Sequence, residues 1–164
     1  MTATPGPLPR PYGKYELLER IGAGGMAEVY RARLGGVAGF EKIVVIKRIL
    51  PHLAENKEFI TMFLDEARIA AQLNHPNVVQ IYDLGRLPTE AQSRHQDSYY
   101  IAMEYIHGED IRKIYNQEVQ RSARIPFEYA SHIIAQAAAG LDYAHRKVDI
   151  NGQALGLVHR DISP

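Results

Sequence analysis

The sequence has no cysteine and no tryptophan. Without cysteine, disulfides and thiolate metal sites are excluded. Net charge is also missing: 19 Lys and Arg stand against 19 Asp and Glu. A balanced chain has no global attraction to nucleic acid or to an anionic membrane. No apolar run approaches the ~20 residues of a membrane span. The N-terminus lacks the basic-then-apolar order of a secretory signal. These absences point to a cytoplasmic chain, with no nucleic-acid partner and no membrane contact within this segment. The 7 His are scattered without metal-ligand spacing, so no metal site is expected among these residues. What is present is a 164-residue chain that is 46% hydrophobic, enough for one compact domain.

Residues 1–14 are Pro-rich with little to bury and read as a disordered leader. From Tyr15 the character changes. "YELLERI", "EVYRARL" and "KIVVIKRIL" are β-branched and aromatic runs separated by the glycine turns "GAGG" and "GGVAG". This is an antiparallel meander. "NKEFITMFLDEARIAAQL" places Phe59, Met62, Phe63, Glu66, Ile69, Ala70 and Leu73 at steps of three and four, which predicts an amphipathic helix. "VVQIYDL" and "SYYIAMEYI" are two further strands, with the polar loop "GRLPTEAQSRHQD" between them. "PFEYASHIIAQAAAGLDYAH" is a second helix, with Pro126 in its first turn and a stripe of Ile133, Ile134, Ala137, Leu141 and Ala144. Asn151-Gly152 signals a hairpin turn before the final "LVHRD".

Three features carry chemistry. "IGAGGMAEVY" spaces Gly22 and Gly24 as in a nucleotide-binding loop. Glycine lets backbone N–H groups approach phosphate closely, although an ordinary tight turn has the same look. The run after it is strand-like, which argues against a dinucleotide fold, where a helix must follow. There is no Gly-Lys-Ser/Thr, so a P-loop is excluded. A glycine loop joining antiparallel strands is the arrangement that covers ATP in protein kinases.

The second feature is Lys47. Strand alternation puts it on one face with Ile43, Val45 and Ile49. A cation there is costly unless it is paired or snorkels at a sheet edge. Glu66 supplies a partner, since it interrupts the apolar stripe of the first helix. Two misplaced, opposite charges in neighbouring elements suggest one ion pair, with Lys47 offered to nucleotide phosphates. The third feature is "HRD", where Asp161 is a candidate general base or acceptor for a substrate hydroxyl.

With these motifs in order, the chain resembles the first part of a protein kinase catalytic domain of the bacterial, eukaryotic-like Ser/Thr type. The resemblance runs over residues 15–164 and rests on "IGAGGMAEVY", "VVIK", "FLDEARIAAQLNHPNVV", "YYIAMEYIHGED" and "LVHRDISP". It implies an α+β fold: an N-lobe of about five antiparallel strands plus one regulatory helix over 15–106, then the first helices of a helical C-lobe over 107–164, truncated within the catalytic loop. It also implies roles. Gly22, Ala23, Gly24, Gly25, Met26 and Ala27 would cover the ATP phosphates. Lys47 would contact the phosphates and pair with Glu66. Ile21, Val29 and Val45 would line the adenine pocket, with Met103 at its back. Backbone groups of Glu104 and Ile106 would bind adenine, and Asp110 would lie near the ribose. Asp161 would accept the proton of the substrate hydroxyl, while His159 and Arg160 would be structural. The implied reaction is transfer of the γ-phosphoryl of ATP to a protein hydroxyl.

Three positions depart from the family pattern. Ala27 stands where the last loop glycine is usual. Ser163 stands where most Ser/Thr kinases carry a lysine near the transferred phosphate. "RKVDINGQALG" is longer than the usual connection and reads as a surface hairpin. The pattern also calls for an Mg-binding Asn and an Asp-Phe-Gly past Asp161, and neither is among these residues. ATP and Mg²⁺ are therefore the implied cofactors, with metal ligands downstream of residue 164. The segment alone is expected to be inactive. Two other readings are a non-catalytic nucleotide-binding or interaction module and a small-molecule phosphotransferase; "HPN" and "MEY…GED" favour a protein kinase over the latter.

Overall fold

A computed structural model describes residues 7–88 and 97–162. The chain forms two compact units. The first comprises Met1–Gln72 and Gln80–Tyr105, and the second Leu73–Val79 and Ile106–Pro164. The short stretch Leu73–Val79 groups with the helical unit.

The first unit is a six-stranded antiparallel sheet with one helix. The strands are β1 (Arg10–Tyr12), β2 (Tyr15–Ala23), β3 (Ala27–Gly35), β4 (Glu41–Ile49), β5 (Ile81–Pro88) and β6 (Asp97–Glu104), in the order β1-β2-β3-β4-β6-β5. The count is six rather than about five because β1 lies within the stretch read as a disordered leader, where Arg10 pairs with Leu17 and Tyr12 with Tyr15. Proline misled the reading. Pro11 lies on β1 and Pro88 on β5, and both are edge strands, the place where a sheet tolerates a missing N–H. Similarly, "GRLP" continues β5 instead of opening the polar loop. Residues 89–96 of that loop lie outside the described residues.

Strand alternation gives the sheet two apolar faces. On one, Tyr15, Leu17, Tyr30, Ala32, Val44, Ile46, Tyr100 and Ala102 form a core closed over by Leu8, Tyr12 and Leu87. On the other, Ala27, Ile49 and Ile101 receive Phe63 and Ala67 of α1 (Lys57–Ala70). Burying each large aliphatic side chain contributes about 1.5–3 kcal/mol. Asn56 starts α1, its side chain accepting from the N–H groups of Glu58 and Phe59 at 3.0 and 3.4 Å. The buried stripe of α1 is rotated from the one expected. Phe63 and Ala67 are buried, whereas Met62 is 50% and Ile69 41% exposed.

The second unit contains α2 (Ile111–Gln120) and α3 (Phe127–His145). The sequence reading did not single out α2; the clue is Asp110, whose carboxylate caps it by accepting from Lys113 N–H at 2.7 Å. Pro126 occupies the N-cap of α3 instead of its first turn. Gly140 is the buried residue of α3, and a side chain there would meet the Asn77 carbonyl at 3.1 Å. The Asn77 side chain donates to the carbonyl of Gln136 and to its Oε1, each at 2.9 Å. This is why Leu73–Val79 travels with α3. Of the stripe expected on α3, Ile133, Leu141 and Ala144 are half-buried, while Ala137 is exposed and Ile134 is 67% exposed. The hairpin after α3 forms as expected, with Val148 bridging Ala154 and Gly152 at φ +80 in its turn.

Candidate nucleotide and phosphoryl-transfer site

The sheet gathers the predicted residues of the first unit. Gly22 pairs with Val29, Val29 with Lys47, and Lys47 with Ile101, one row across four strands. In the next row Val45 pairs with Met103 and Met103 with Ile81. Direct partners and alternate residues share a face. Val29, Val45, Lys47 and Met103 therefore stand together, on the side where α1 packs. Met103 is half-buried against the α1 cluster.

The Lys47 ammonium lies 2.5 Å from Glu66 Oε1 and 6.0 Å from the centre of the Phe63 ring. Each of the two interrupts an apolar surface in the sequence, which is what predicts the pair. The pair exists, but its setting is wetter than that argument implied. The Glu66 side chain is 54% exposed and that of Lys47 27%. The charges are reconciled with each other at a rim open to solvent, where a ligand can reach Lys47.

The glycine loop is a tight turn between β2 and β3, closed by Gly24 N–H donating to Ala27 O at 2.8 Å. Leu50 N–H donates to Met26 O at 3.0 Å, tying the loop's end to β4. Around Gly25 there is open space: an added side-chain carbon would meet nothing within 4 Å, and at Gly24 it would meet only Ala27 O, at 3.9 Å. The loop backbone is thus free to approach a ligand. Gly22, Ala23, Gly24, Gly25 and Met26 lie on it or at its entry, while Ala27 is buried as the first residue of β3. Ile21 sits at the β-bulge between Arg20 and Gly22 and is 46% exposed. The open glycines, the apolar trio of Val29, Val45 and Met103, and the cation of Lys47 fit a nucleotide with its phosphates.

Glu104 ends β6. Its N–H donates to Gln80 O at 2.9 Å and its carboxylate accepts from Gln80 N–H at 3.2 Å. Ile106, Asp110 and Asp161 belong to the second unit. Asp161 is exposed, and its N–H donates to His159 Nδ1 at 3.3 Å. Arg160 between them has φ +61, a left-handed conformation that costs an arginine of order 1 kcal/mol and is concentrated at functional turns. Ser163 lies outside the described residues. Among the described residues no group of three or more His, Asp or Glu gathers to hold a metal.

Two charge clusters lie outside the residues singled out in the sequence, one buried around Glu28 and one partly buried around Asp83. Glu28 is 6% exposed. It accepts from Arg48 Nε and from the Tyr30 hydroxyl, each at 3.0 Å, while Arg48 Nη2 lies 2.9 Å from the same carboxylate. Burial alone would push Glu28 up. Hydrogen bonds from Arg48 and Tyr30, with the charges of Arg48 and Arg20, outweigh it and hold the carboxyl below its usual range. Asp83 accepts from Lys14 at 2.8 Å, from the Tyr15 hydroxyl at 3.1 Å and from the Tyr100 hydroxyl at 3.3 Å. The Lys14 hydrogen bond leads in holding Asp83 low, with the two phenols assisting against burial. Burial and the Asp83 charge in turn raise Tyr100 to about 12 and push Tyr15 up as well. The alternation that exposed Lys47 as anomalous applies equally to Glu28 and Arg48, which fall on a face with Tyr30, Val44 and Ile46.

The protein kinase domain model matches residues 15–164. The chain belongs to the protein kinase family. It is 46% identical over 158 residues to the tyrosine-protein kinase MasK of Myxococcus xanthus, covering 96% of this chain and 23% of that protein. It is 34% identical over 151 residues to the serine/threonine-protein kinase PknB of Mycobacterium leprae, covering 92% of this chain and 21% of that one. The crystal structure of the PknI kinase domain of Mycobacterium tuberculosis aligns with a TM-score of 0.65 at 27% identity, covering 95% of this chain and 54% of that one. The chain therefore spans under a quarter of the length of these two curated relatives and about half of a solved kinase domain. Its six-stranded sheet with α1 is a kinase N-lobe, and α2 and α3 belong to a partial C-lobe.

Proposed function

We propose that this chain supplies the ATP-binding part of a protein kinase that transfers the γ-phosphoryl of ATP to a protein hydroxyl. The observation that carries this is the Lys47–Glu66 pair at 2.5 Å, set beside a glycine loop with open space above it. Gly22, Ala23, Gly24, Gly25, Met26 and Ala27 cover the phosphates. Lys47, oriented by Glu66, meets their charge as a compact cation on a long stem. Ile21, Val29, Val45 and Met103 receive adenine, backbone groups of Glu104 and Ile106 hydrogen-bond it, and Asp110 takes the ribose side. Asp161 accepts the proton of the attacking hydroxyl. When bound, ATP supplies the phosphoryl group; these side chains contribute positioning and charge compensation. A cytoplasmic setting, where ATP is available, goes with this reading. Residues 1–164 by themselves are expected to lack sustained transfer, since the metal-binding Asn and Asp-Phe-Gly that the kinase pattern calls for past Asp161 are not among them.

For the acceptor, we infer serine or threonine, the class for which PknB is named. Tyrosine is a second reading, favoured by the 46% identity to MasK, which is named a tyrosine-protein kinase. The test uses the full natural chain that carries these residues, incubated with γ-labelled ATP and a protein substrate, followed by phosphoamino-acid analysis. Label on serine or threonine supports the first reading, and label confined to tyrosine the second. Absence of any Lys47-dependent transfer overturns both.

A further inference from the structure

We propose that Glu28 is a positioning residue: one buried carboxylate clasps the two strands that carry the glycine loop and the strand that carries Lys47. Three observations carry this. Glu28 lies on β3, one residue beyond the loop, and pairs directly with Ala23 on β2 and with Arg48 on β4. Its carboxylate reaches both neighbours, at 2.9 Å to Arg48 and 3.6 Å to Arg20. The adjacent cross-strand pair is Val29 with Lys47. Side chains of successive residues point to opposite faces. Lys47 is therefore held by Glu66 on the side of α1, and the next residue, Arg48, is held by Glu28 on the other.

The two pairs differ in burial. Glu66 is 54% exposed, whereas Glu28 and Arg48 are 8% and 13% exposed at their side chains. A solvated pair re-forms readily in many geometries. A buried, two-pronged arginine–carboxylate pair is costly to leave half made, so it enforces one geometry. Backbone pairing alone leaves strand ends next to a glycine turn free to fray. The Glu28 clasp removes that freedom at the end of β3 where phosphates are to be met, so the loop and Lys47 are set before the ligand arrives.

This inference rests on the reading of the loop and Lys47 as phosphate-binding, and its test separates the two. ATP dependence is measured on the full natural chain for wild type, Lys47→Met, Glu28→Gln, Arg48→Gln and Asp83→Asn, with melting temperatures recorded alongside. Asp83→Asn is the control for a purely structural effect, since Asp83 is also a partly buried, hydrogen-bonded carboxylate against the Tyr15–Tyr100 face but touches neither loop strand next to the glycines. Glu28→Gln and Arg48→Gln are each expected to raise KM for ATP about tenfold while the KM for the protein substrate stays within about twofold. Asp83→Asn is expected to lower the melting temperature with KM for ATP within about twofold. Arg48→Lys, which retains the charge without the two-pronged grip, is expected to fall between wild type and Arg48→Gln. Unchanged KM for ATP in Glu28→Gln and Arg48→Gln overturns the clasp, as does an equal rise in Asp83→Asn. Lys47→Met binding ATP like wild type would instead overturn the underlying reading.

Discussion

Lys47 and Arg48 are neighbours on β4, point to opposite faces of the sheet, and are each held by a carboxylate, Glu66 at 2.5 Å and Glu28 at 2.9 Å. The same strand thus carries one cation at a solvent-open rim and the next in a buried pair. Their different exposure separates their consequences for activity and stability.

Glu66→Gln should damage function far more than stability. A pair this exposed contributes only about 0–1 kcal/mol to folding. The melting temperature should therefore move by no more than about 2–4 °C for a domain of about 150–250 residues. Phosphoryl transfer should fall by about 10²-fold, because Lys47 loses its orienting partner. Calorimetry and initial rates on the same preparation check both.

Gly85→Ala should destabilise the sheet. Gly85 pairs with Tyr100, and a side-chain carbon there would lie 2.3 Å from the Tyr100 ring. That ring is 6% exposed, packs edge-on against Tyr12 and Tyr15, and donates to Asp83, so it has nowhere to retreat. Overpacking of this kind costs about 1–3 kcal/mol. Denaturant melts should show a lower midpoint. Tyr100→Leu in the Gly85→Ala background should give non-additive energies, since the two changes share one contact.

Acid should weaken the fold through Glu28 and Asp83. Both carboxyls are held below their usual values in the folded state. Such groups contribute stability that is fully present above the unfolded value of about 4 and is lost as pH falls through the folded one. Melting temperatures should be flat from pH 7 to about 5 and decline below about 4, and Asp83→Asn should shallow that decline.

Alkali should act through the phenols with the opposite sign. Tyr100 is raised to about 12, and Tyr12, Tyr15 and Tyr30 are also pushed up by burial. A raised folded value contributes stability that is present below the unfolded value of about 10 and is lost as pH climbs toward the folded one. Phenolate absorbance should lag behind that of free tyrosine between pH 10 and 12 and appear together with unfolding.

Much of the site was legible because buried charges break hydrophobic patterns. Lys47 interrupted a strand face and Glu66 a helix stripe, and the structure brings them together. Both are less buried than those patterns imply, since periodicity marks a helix face without fixing its rotation; Phe63 and Leu73 face inward as expected, but Ala67 joins them while Met62 and Ile69 stay exposed. Strand β1 was hidden because Pro11 reads as disorder, and only sheet order reveals that it sits on an edge. Helix α2 was hidden because it is short and polar on average, although Asp110 marked its start. The clasp at Glu28 depends on register: Arg20, Glu28 and Arg48 are distant in sequence, and only the pairing of β2, β3 and β4 makes them neighbours.

The most direct test is transfer of the γ-phosphoryl of ATP to protein by the full natural chain, compared between wild type and Lys47→Met. Wild type should transfer phosphate, and Lys47→Met should lose about 10²-fold or more of that rate while melting within a few degrees of wild type. Undiminished transfer by a folded Lys47→Met protein, or failure of the wild type to bind ATP, would contradict the account.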